Sequence, residues 1–208
     1  MKGKQSQETL DQIERVTIGH YDASAEGFWL GTRDHDVSQN VAALLGVLPD
    51  DRPLDILDFG CGPGRDLQTF KQLGHRPTGL DGSAEFCEMA RRHSGCAVLH
   101  QQFLSLDIGT KQYDGIFANA SLFHVPSQAW PQVLTDCHAA LKSAGVLFIS
   151  VPRGDAEGWQ GNRYGTYLEL EQIQPLLEQA GFAVLNHYYR PPGQPRYQQP
   201  WLAIVSRR

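Results

Sequence analysis

Between Asp55 and Asp66 the chain reads Asp-Ile-Leu-Asp-Phe-Gly-Cys-Gly-Pro-Gly-Arg-Asp, and no other stretch restricts the fold so tightly. An apolar strand ends at Asp58 and Phe59, three glycines at Gly60, Gly62 and Gly64 bend the backbone, and a helix can begin at Pro63. Glycine tolerates positive φ and lets a ligand approach the main chain, while the helix start behind it leaves N–H groups free. A second acid, Asp81 in Gly79-Leu80-Asp81-Gly82-Ser83, follows Gly60 by 81 − 60 = 21 residues. That is close to the roughly 20 residues between a glycine turn and a ribose-binding acid in a βαβ unit. The pair predicts a nucleotide-like ligand at the carboxyl edge of a parallel sheet.

The rest of the chain reads as the continuation of that unit. Leu67, Phe70 and Leu73 extend a helix to Gly74, Arg76 to Leu80 is the second strand, Ser83 caps the next helix and Ala97 to His100 is the third strand. Tyr113 to Ala118 makes a fourth strand that leads into Asn119-Ala120-Ser121-Leu122-Phe123-His124. Trp130, Val133, Leu134, Cys137 and Leu141 share one helical face up to Gly145, and Val146 to Val151 is the fifth strand. A polar insertion with Asn162-Arg163-Tyr164 follows, then a helix from about Glu171 to Ala180, in which Pro175 is tolerated only in the first turn. Phe182 to Tyr189 and Trp201 to Ser206 are the last strands, too closely connected to be parallel. The expected fold is α/β and Rossmann-like: seven strands, mostly parallel with the last antiparallel, and helices on both faces.

The first fifty residues precede this core and read as two helical pieces, with Val37, Val41, Leu44, Leu45 and Leu48 on one face, capped by Asp34, Asp36 or Ser38. A dense polar and aromatic cluster from Tyr21 to Asn40 holds more side chains able to bind than a plain linker needs, which leaves a lid over the ligand or a structural cap as its role. One domain over residues 1–208 is expected, with 1–50 as helical lid and 51–208 as core. Lys plus Arg total 18 against 23 Asp plus Glu, without a basic stripe, which disfavours nucleic-acid binding. Cys61, Cys87, Cys96 and Cys137 form no Cys-x-x-Cys pair and the polar start Met1 to Gln5 has no signal-like apolar core, so a reducing cytoplasm is the expected home. No membrane span is expected, and with no paired histidine or cysteine motif no metal is implied. The residues leave the oligomeric state open.

The third glycine, Gly64, comes one residue earlier than in a dinucleotide fingerprint, and Asp58 precedes the first. This resembles motif I of the class I S-adenosylmethionine-dependent methyltransferases. The resemblance implies S-adenosylmethionine as cofactor, bound by Tyr21, Thr32, Asp58, Gly60, Cys61, Gly62, Arg65, Asp81, Gly82, Ser83, Phe103, Asn119 and Ala120. Gln102 stands where many relatives carry an acid that meets the adenine amino group. The segment from Asn119 to Pro126 resembles the family's motif IV, beside the transferring methyl group. There His124 is either a general base or a brace for the loop, with His35 and Asp36 as further candidate catalytic groups.

An acceptor pocket is expected from the amino-terminal segment and the loops at the carboxyl edge: Trp29, Arg33, Gln39, His124, Arg153, Arg163, Tyr164, Tyr167, Tyr189 and Arg190. Its arginines suit a small polar or anionic molecule. The strings Ala25 to Trp29, Gly31 to Asn40, Phe117 to Pro126 and His187 to Gly193 look like the methyltransferase domain that closes the ovothiol-synthesising sulfoxide synthases. That similarity would imply N-methylation of the imidazole of 5-thiohistidine. A nicotinamide-dependent oxidoreductase and a catalytically silent binding module remain the rival classes.

Overall fold

The computed structural model describes residues 5–208; the start read for a signal segment, Met1 to Lys4, lies outside the described residues. Two helices come first, α1 (Gln7–Thr32) and α2 (Ser38–Leu45). Ser6 caps α1 by accepting from Thr9 N at 3.2 Å. A kink at Ser24, whose hydroxyl donates to His20 O at 2.7 Å, bends α1 around the core. At α2 the cap position belongs to Val37, while the Asp36 carboxylate accepts from Ser38 N at 2.9 Å. Val41 and Leu44 are buried there, whereas Leu45 and Leu48 are only partly covered.

The core alternates strands and helices: β1 (Asp55–Phe59), α3 (Arg65–Gln72), β2 (Arg76–Asp81), α4 (Ala84–Ser94), β3 (Ala97–His100) and β4 (Tyr113–Asn119). It continues with α5 (Trp130–Ala140), β5 (Leu141–Pro152), a hairpin of β6 (Glu157–Gln160) and β7 (Arg163–Thr166), α6 (Leu170–Gln179), β8 (Ala183–Arg190) and β9 (Trp201–Arg207). Seven strands form one sheet in the order β3-β2-β1-β4-β5-β9-β8. β9 runs antiparallel to both β5 and β8, so β8 points with the parallel set and delivers Arg190 to the same edge as Pro152.

Successive strand residues face opposite sides, and each side is apolar. Leu57, Ile116, Leu147 and Ile204 pack with Trp130, Leu134, Ile173 and Leu177 of α5 and α6, while Ile56, Phe117, Phe148 and Val205 pack with Leu44 of α2 and Phe70 of α3. Burial on both faces is what a parallel sheet sandwiched by helices demands. Strand order reverses between the parallel neighbours β1 and β4, which opens the crevice where open α/β sheets bind ligands.

Three local expectations are corrected. α5 stops at Ala140, because Leu141 turns extended and pairs with Tyr113 before an irregularity in the strand register. The carbonyls of Ala139 and Ala140 accept from Lys111 and Gln112 there. Pro175 sits inside α6 and not in its first turn, on an exposed side where water can satisfy the carbonyl left without a donor. Leu73, read as an inward residue of α3, is 53% exposed because the helix has already ended. Among the described residues no helix is long and apolar enough to cross a membrane.

Candidate active site

A cavity of about 970 Å³ opens at the carboxyl edge, over the ends of β1, β2, β4 and β5 and beneath α1. It stands at the upper end of the roughly 300–1,000 Å³ usual for small-molecule sites, which suits two ligands side by side better than one. Its floor is the glycine turn. Gly60 has φ +77°, and a Cβ there would lie 2.3 Å from the Ser121 Cβ, so only glycine fits between the turn and the loop after β4. Gly64 has φ +95° and presses on Ala90 of α4, which draws the start of α3 close to its neighbour.

Three acids surround this turn. Asp81 accepts from Gly62 N and Ser83 N, each at 2.9 Å, yet its burial outweighs those bonds and lifts its pKa to about 6. Asp66 is tied by a two-pronged pair to Arg65, at 2.7 and 2.8 Å, and by Asn119 Nδ2 at 3.2 Å. Asp58, 2% exposed, lies under the floor with Oδ2 unpartnered, and burial and then the Asp66 carboxylate hold its pKa well above the usual carboxylate range. With Asp66 matched to Arg65 and burial favouring the neutral form of Asp58, Asp81 is the acid left to carry negative charge into the cavity above about pH 6, which suits a cationic or hydroxyl-bearing ligand better than a pyrophosphate. A cofactor with cationic sulfonium and ammonium groups, such as S-adenosylmethionine, suits this floor better than a nicotinamide dinucleotide with its pyrophosphate.

A polar chain continues from the floor toward β8: Asn40 Nδ2 donates to Asn119 Oδ1 at 2.9 Å and Tyr188 Oη donates to Asn40 Oδ1 at 2.8 Å. Asn40 is completely buried, so it fixes the Asn119 amide orientation and joins α2 to the site.

Overhead, α1 presents Tyr21. His124 Nδ1 lies 2.7 Å from Tyr164 O, and a carbonyl can only accept, so the proton sits on Nδ1. Nε2 therefore accepts from the Tyr21 hydroxyl at 2.7 Å. Burial lowers the His124 pKa to about 4 and raises that of Tyr21, with the nearby Arg163 guanidinium opposing the latter rise. Both imidazole nitrogens are thus committed, and a group with that pKa is a weak base. This arrangement suits the bracing role of His124, which ties α1, the loop after β4 and the β6–β7 hairpin together. His35 and Asp36 line the exposed mouth, where hydrogen bonding from Ser38 holds the Asp36 pKa low.

The cavity brings together most of the residues expected from the sequence: Tyr21, Trp29, Thr32, His35, Asp36, Gln39, Gly60, Cys61, Gly62, Arg65, Asp81, Gly82, Phe103, Asn119, Ala120, His124, Arg163, Tyr167 and Arg190. Seven do not line it. Asp58 lies beneath, and the Ser83 hydroxyl is spent on capping Phe86 N and donating to Asp22. Gln102 is exposed. Arg33 is half exposed beside Asp34. Arg153 makes a two-pronged pair with Glu169 at 3.0 Å and donates to Arg196 O and Gln199 O, so it pins the β8–β9 loop instead of awaiting a ligand. Tyr164 is buried with its hydroxyl on Glu157 at 3.0 Å, and Tyr189 is covered by the Arg196 guanidinium.

Phe28, inside the cluster read from the sequence, also lines the cavity, and three wall residues lie outside that cluster: Glu14, Thr17 and Ile18 of α1 stand at helical spacing upstream of Tyr21. Ser150 at the end of β5 is 1% exposed, lines the cavity and has a hydroxyl with no hydrogen-bond partner among the described residues. Trp201, Pro152, Pro191 and Pro192 flank the same end. Among the described residues no cluster of His, Cys, Asp or Glu could hold a metal ion.

Residues 56–145 match a family described as a methyltransferase domain. The chain is 25% identical to a 1,6-didemethyltoxoflavin-N1-methyltransferase from Burkholderia thailandensis, solved with 1,6-didemethyltoxoflavin and S-adenosylhomocysteine; the match has a TM-score of 0.78 and covers 100% of this chain and 93% of that one. A ubiquinone biosynthesis O-methyltransferase from Haemophilus ducreyi is 32% identical over 105 residues, 46% of this chain and 44% of the relative. A malonyl-[acyl-carrier protein] O-methyltransferase from Hamiltonella defensa is 30% identical over 147 residues, 62% of this chain and 55% of the relative. The chain thus spans about half the length of the curated relatives it matches. Residues 56–145 thus match a methyltransferase domain, and the whole chain has the Rossmann-like fold of methyltransferases of known structure.

Proposed function

We propose that this protein is an S-adenosylmethionine-dependent methyltransferase acting on a small polar molecule. The observation that carries the reading is the acidic floor: Asp58, Asp66 and Asp81 around the Gly60 turn, with Arg65 the cation paired to Asp66. S-adenosylmethionine supplies an electrophilic methyl group. The chain's own contribution is alignment, because a substitution at that methyl needs the attacking atom held in line in a dry pocket, and orientation of this kind is worth up to roughly 7–11 kcal/mol. The lid helix α1 and the β6–β7 hairpin cover the cavity, and His124 ties them together through Tyr21 Oη and Tyr164 O.

The acceptor half of the cavity combines Arg163, Arg190, Tyr167, Trp201 and the unpartnered Ser150 hydroxyl. A planar acceptor with an anionic or hydrogen-bonding edge fits these groups, and the finer reading is N-methylation of an imidazole, that of 5-thiohistidine. An unperturbed ring nitrogen attacks with its own lone pair and loses a proton only afterwards, so the weak basicity of His124 is no obstacle. A heteroaromatic nitrogen is also the acceptor named for the Burkholderia thailandensis relative. We further propose that residues 1–208 act as one unit with 1–50 as lid, on a small molecule and not on nucleic acid, in a reducing cytoplasm that suits the four free cysteines.

Calorimetry with S-adenosylhomocysteine and with NAD, followed by mass-resolved turnover on a metabolite panel containing 5-thiohistidine and histidine, tests the reading. Binding of S-adenosylhomocysteine alone and methylation of an imidazole are expected. Tight NAD binding would overturn the cofactor assignment, and turnover of an unrelated metabolite with neither imidazole would overturn the acceptor.

A further inference from the structure

Across the sheet the cavity floor runs from the Gly60 turn at β1 to Asp81 at β2 and then to the loop after β3, where Phe103 and Leu104 stand. A nucleoside whose ribose meets Asp81 therefore places its base on that outer loop. The wall there is a slot between α1 and the loop: Ile18 of α1 lies so close to Gly82 that a Cβ at Gly82 would fall 2.8 Å from its Cδ1, and the Phe103 ring stacks on Phe59 at 4.5 Å between centroids. A flat apolar base suits such a slot.

Two polar groups mark its edge. Glu14 of α1, half-buried, lines the cavity and its Oε1 accepts from Leu104 N at 3.0 Å. A peptide N–H beside a carboxylate is one donor next to one acceptor. The base edge of adenine offers the complement, an N1 acceptor beside an N6 amino donor, whereas hypoxanthine reverses both with its O6 acceptor and N1–H. Gln102, on the same loop, is exposed and does not reach this edge.

We propose that Glu14, acting with Leu104 N–H, selects the adenine base of the cofactor from the lid side. The inference rests on the reading of the cavity as an S-adenosylmethionine site. In the free protein Leu104 N–H is satisfied by Glu14; with adenine present the N–H serves N1 and the carboxylate, freed from it, accepts from N6. Burial already raises the Glu14 pKa, so this carboxylate gains from a new donor.

The test is calorimetry on the full chain with S-adenosylhomocysteine and S-inosylhomocysteine, for the native protein, Glu14→Gln and Glu14→Ala, each verified as folded by thermal melting. The native protein is expected to prefer the adenosyl ligand at least about tenfold, in line with one charge-assisted hydrogen bond. Glu14→Gln should lose about tenfold for the adenosyl ligand and gain for the inosyl one, because an amide can donate to O6; Glu14→Ala should lose the first without the gain. Equal losses for both ligands, or no change in either, would overturn the role of Glu14 while leaving the cofactor reading intact. Failure of the native protein to bind S-adenosylhomocysteine would remove the cofactor reading itself, and the inference with it.

Discussion

Asp81 offers the sharpest test because its geometry fixes both the size and the pH dependence of the effect. Its carboxylate is held by Gly62 N and Ser83 N at 2.9 Å and faces the cavity with a pKa raised to about 6 by burial. The ribose hydroxyls donate best to the ionised form, so ligand binding and deprotonation favour one another. Affinity for S-adenosylhomocysteine should therefore be level above about pH 7 and fall as pH drops through about 6, by up to about tenfold per pH unit. Asp81→Asn replaces a charge-assisted hydrogen bond by a neutral one and removes the titration. The expected loss at pH 8 is roughly 10- to 150-fold, the equivalent of about 1.5–3 kcal/mol, with a shallower pH profile between 5 and 7. Folding stability moves the other way. A carboxyl whose folded pKa is raised contributes stability below its unfolded value near 3.9 and loses it as pH rises through about 6, so relief of the buried charge offsets part of the lost backbone contact at neutral pH. Calorimetry at five pH values, with thermal melts on the same samples, reads all of this. A folded Asp81→Asn protein with native affinity and an unchanged pH slope would refute the argument.

Three further outcomes are expected. Ser150→Ala removes a buried hydroxyl that has no partner, so urea unfolding should show no loss of stability, whereas the acceptor KM should rise with S-adenosylhomocysteine affinity unchanged. Arg153→Ala breaks the pair with Glu169 and should lower unfolding stability by about 1–3 kcal/mol with little effect on the acceptor KM; Arg190→Ala should do the reverse, since Arg190 lines the cavity and donates to Asp36 O on the exposed surface. Gly60→Ala should abolish cofactor binding, because the new Cβ meets the Ser121 Cβ at 2.3 Å and φ is +77°; wild-type affinity in calorimetry would contradict the tight turn.

Much of this protein is written locally. The strand before Gly60, the glycine turn, the Ser83 cap and the acid at Asp81 are decided by neighbours in sequence, which is why they stand where periodicity and turn chemistry put them. The antiparallel β9 also follows from chain length alone, since the connection from β8 is too short for a crossover. Long-range pairing decided the rest. Arg153 and Tyr189 share the composition of a ligand site, yet Glu169, beyond the β6–β7 hairpin, claims Arg153 and the fold of the β8–β9 loop brings Arg196 over Tyr189. His124 carries the residue type of a base, but only the approach of Tyr164 O on one side and the Tyr21 hydroxyl on the other fixes its tautomer and its low pKa. Glu14 and Ser150 carry no motif. A half-buried carboxylate on a helix and a lone strand-end hydroxyl come to line one cavity only when α1 folds over the sheet edge where β5 ends, because it is the tertiary fold that brings these sequence-distant groups together.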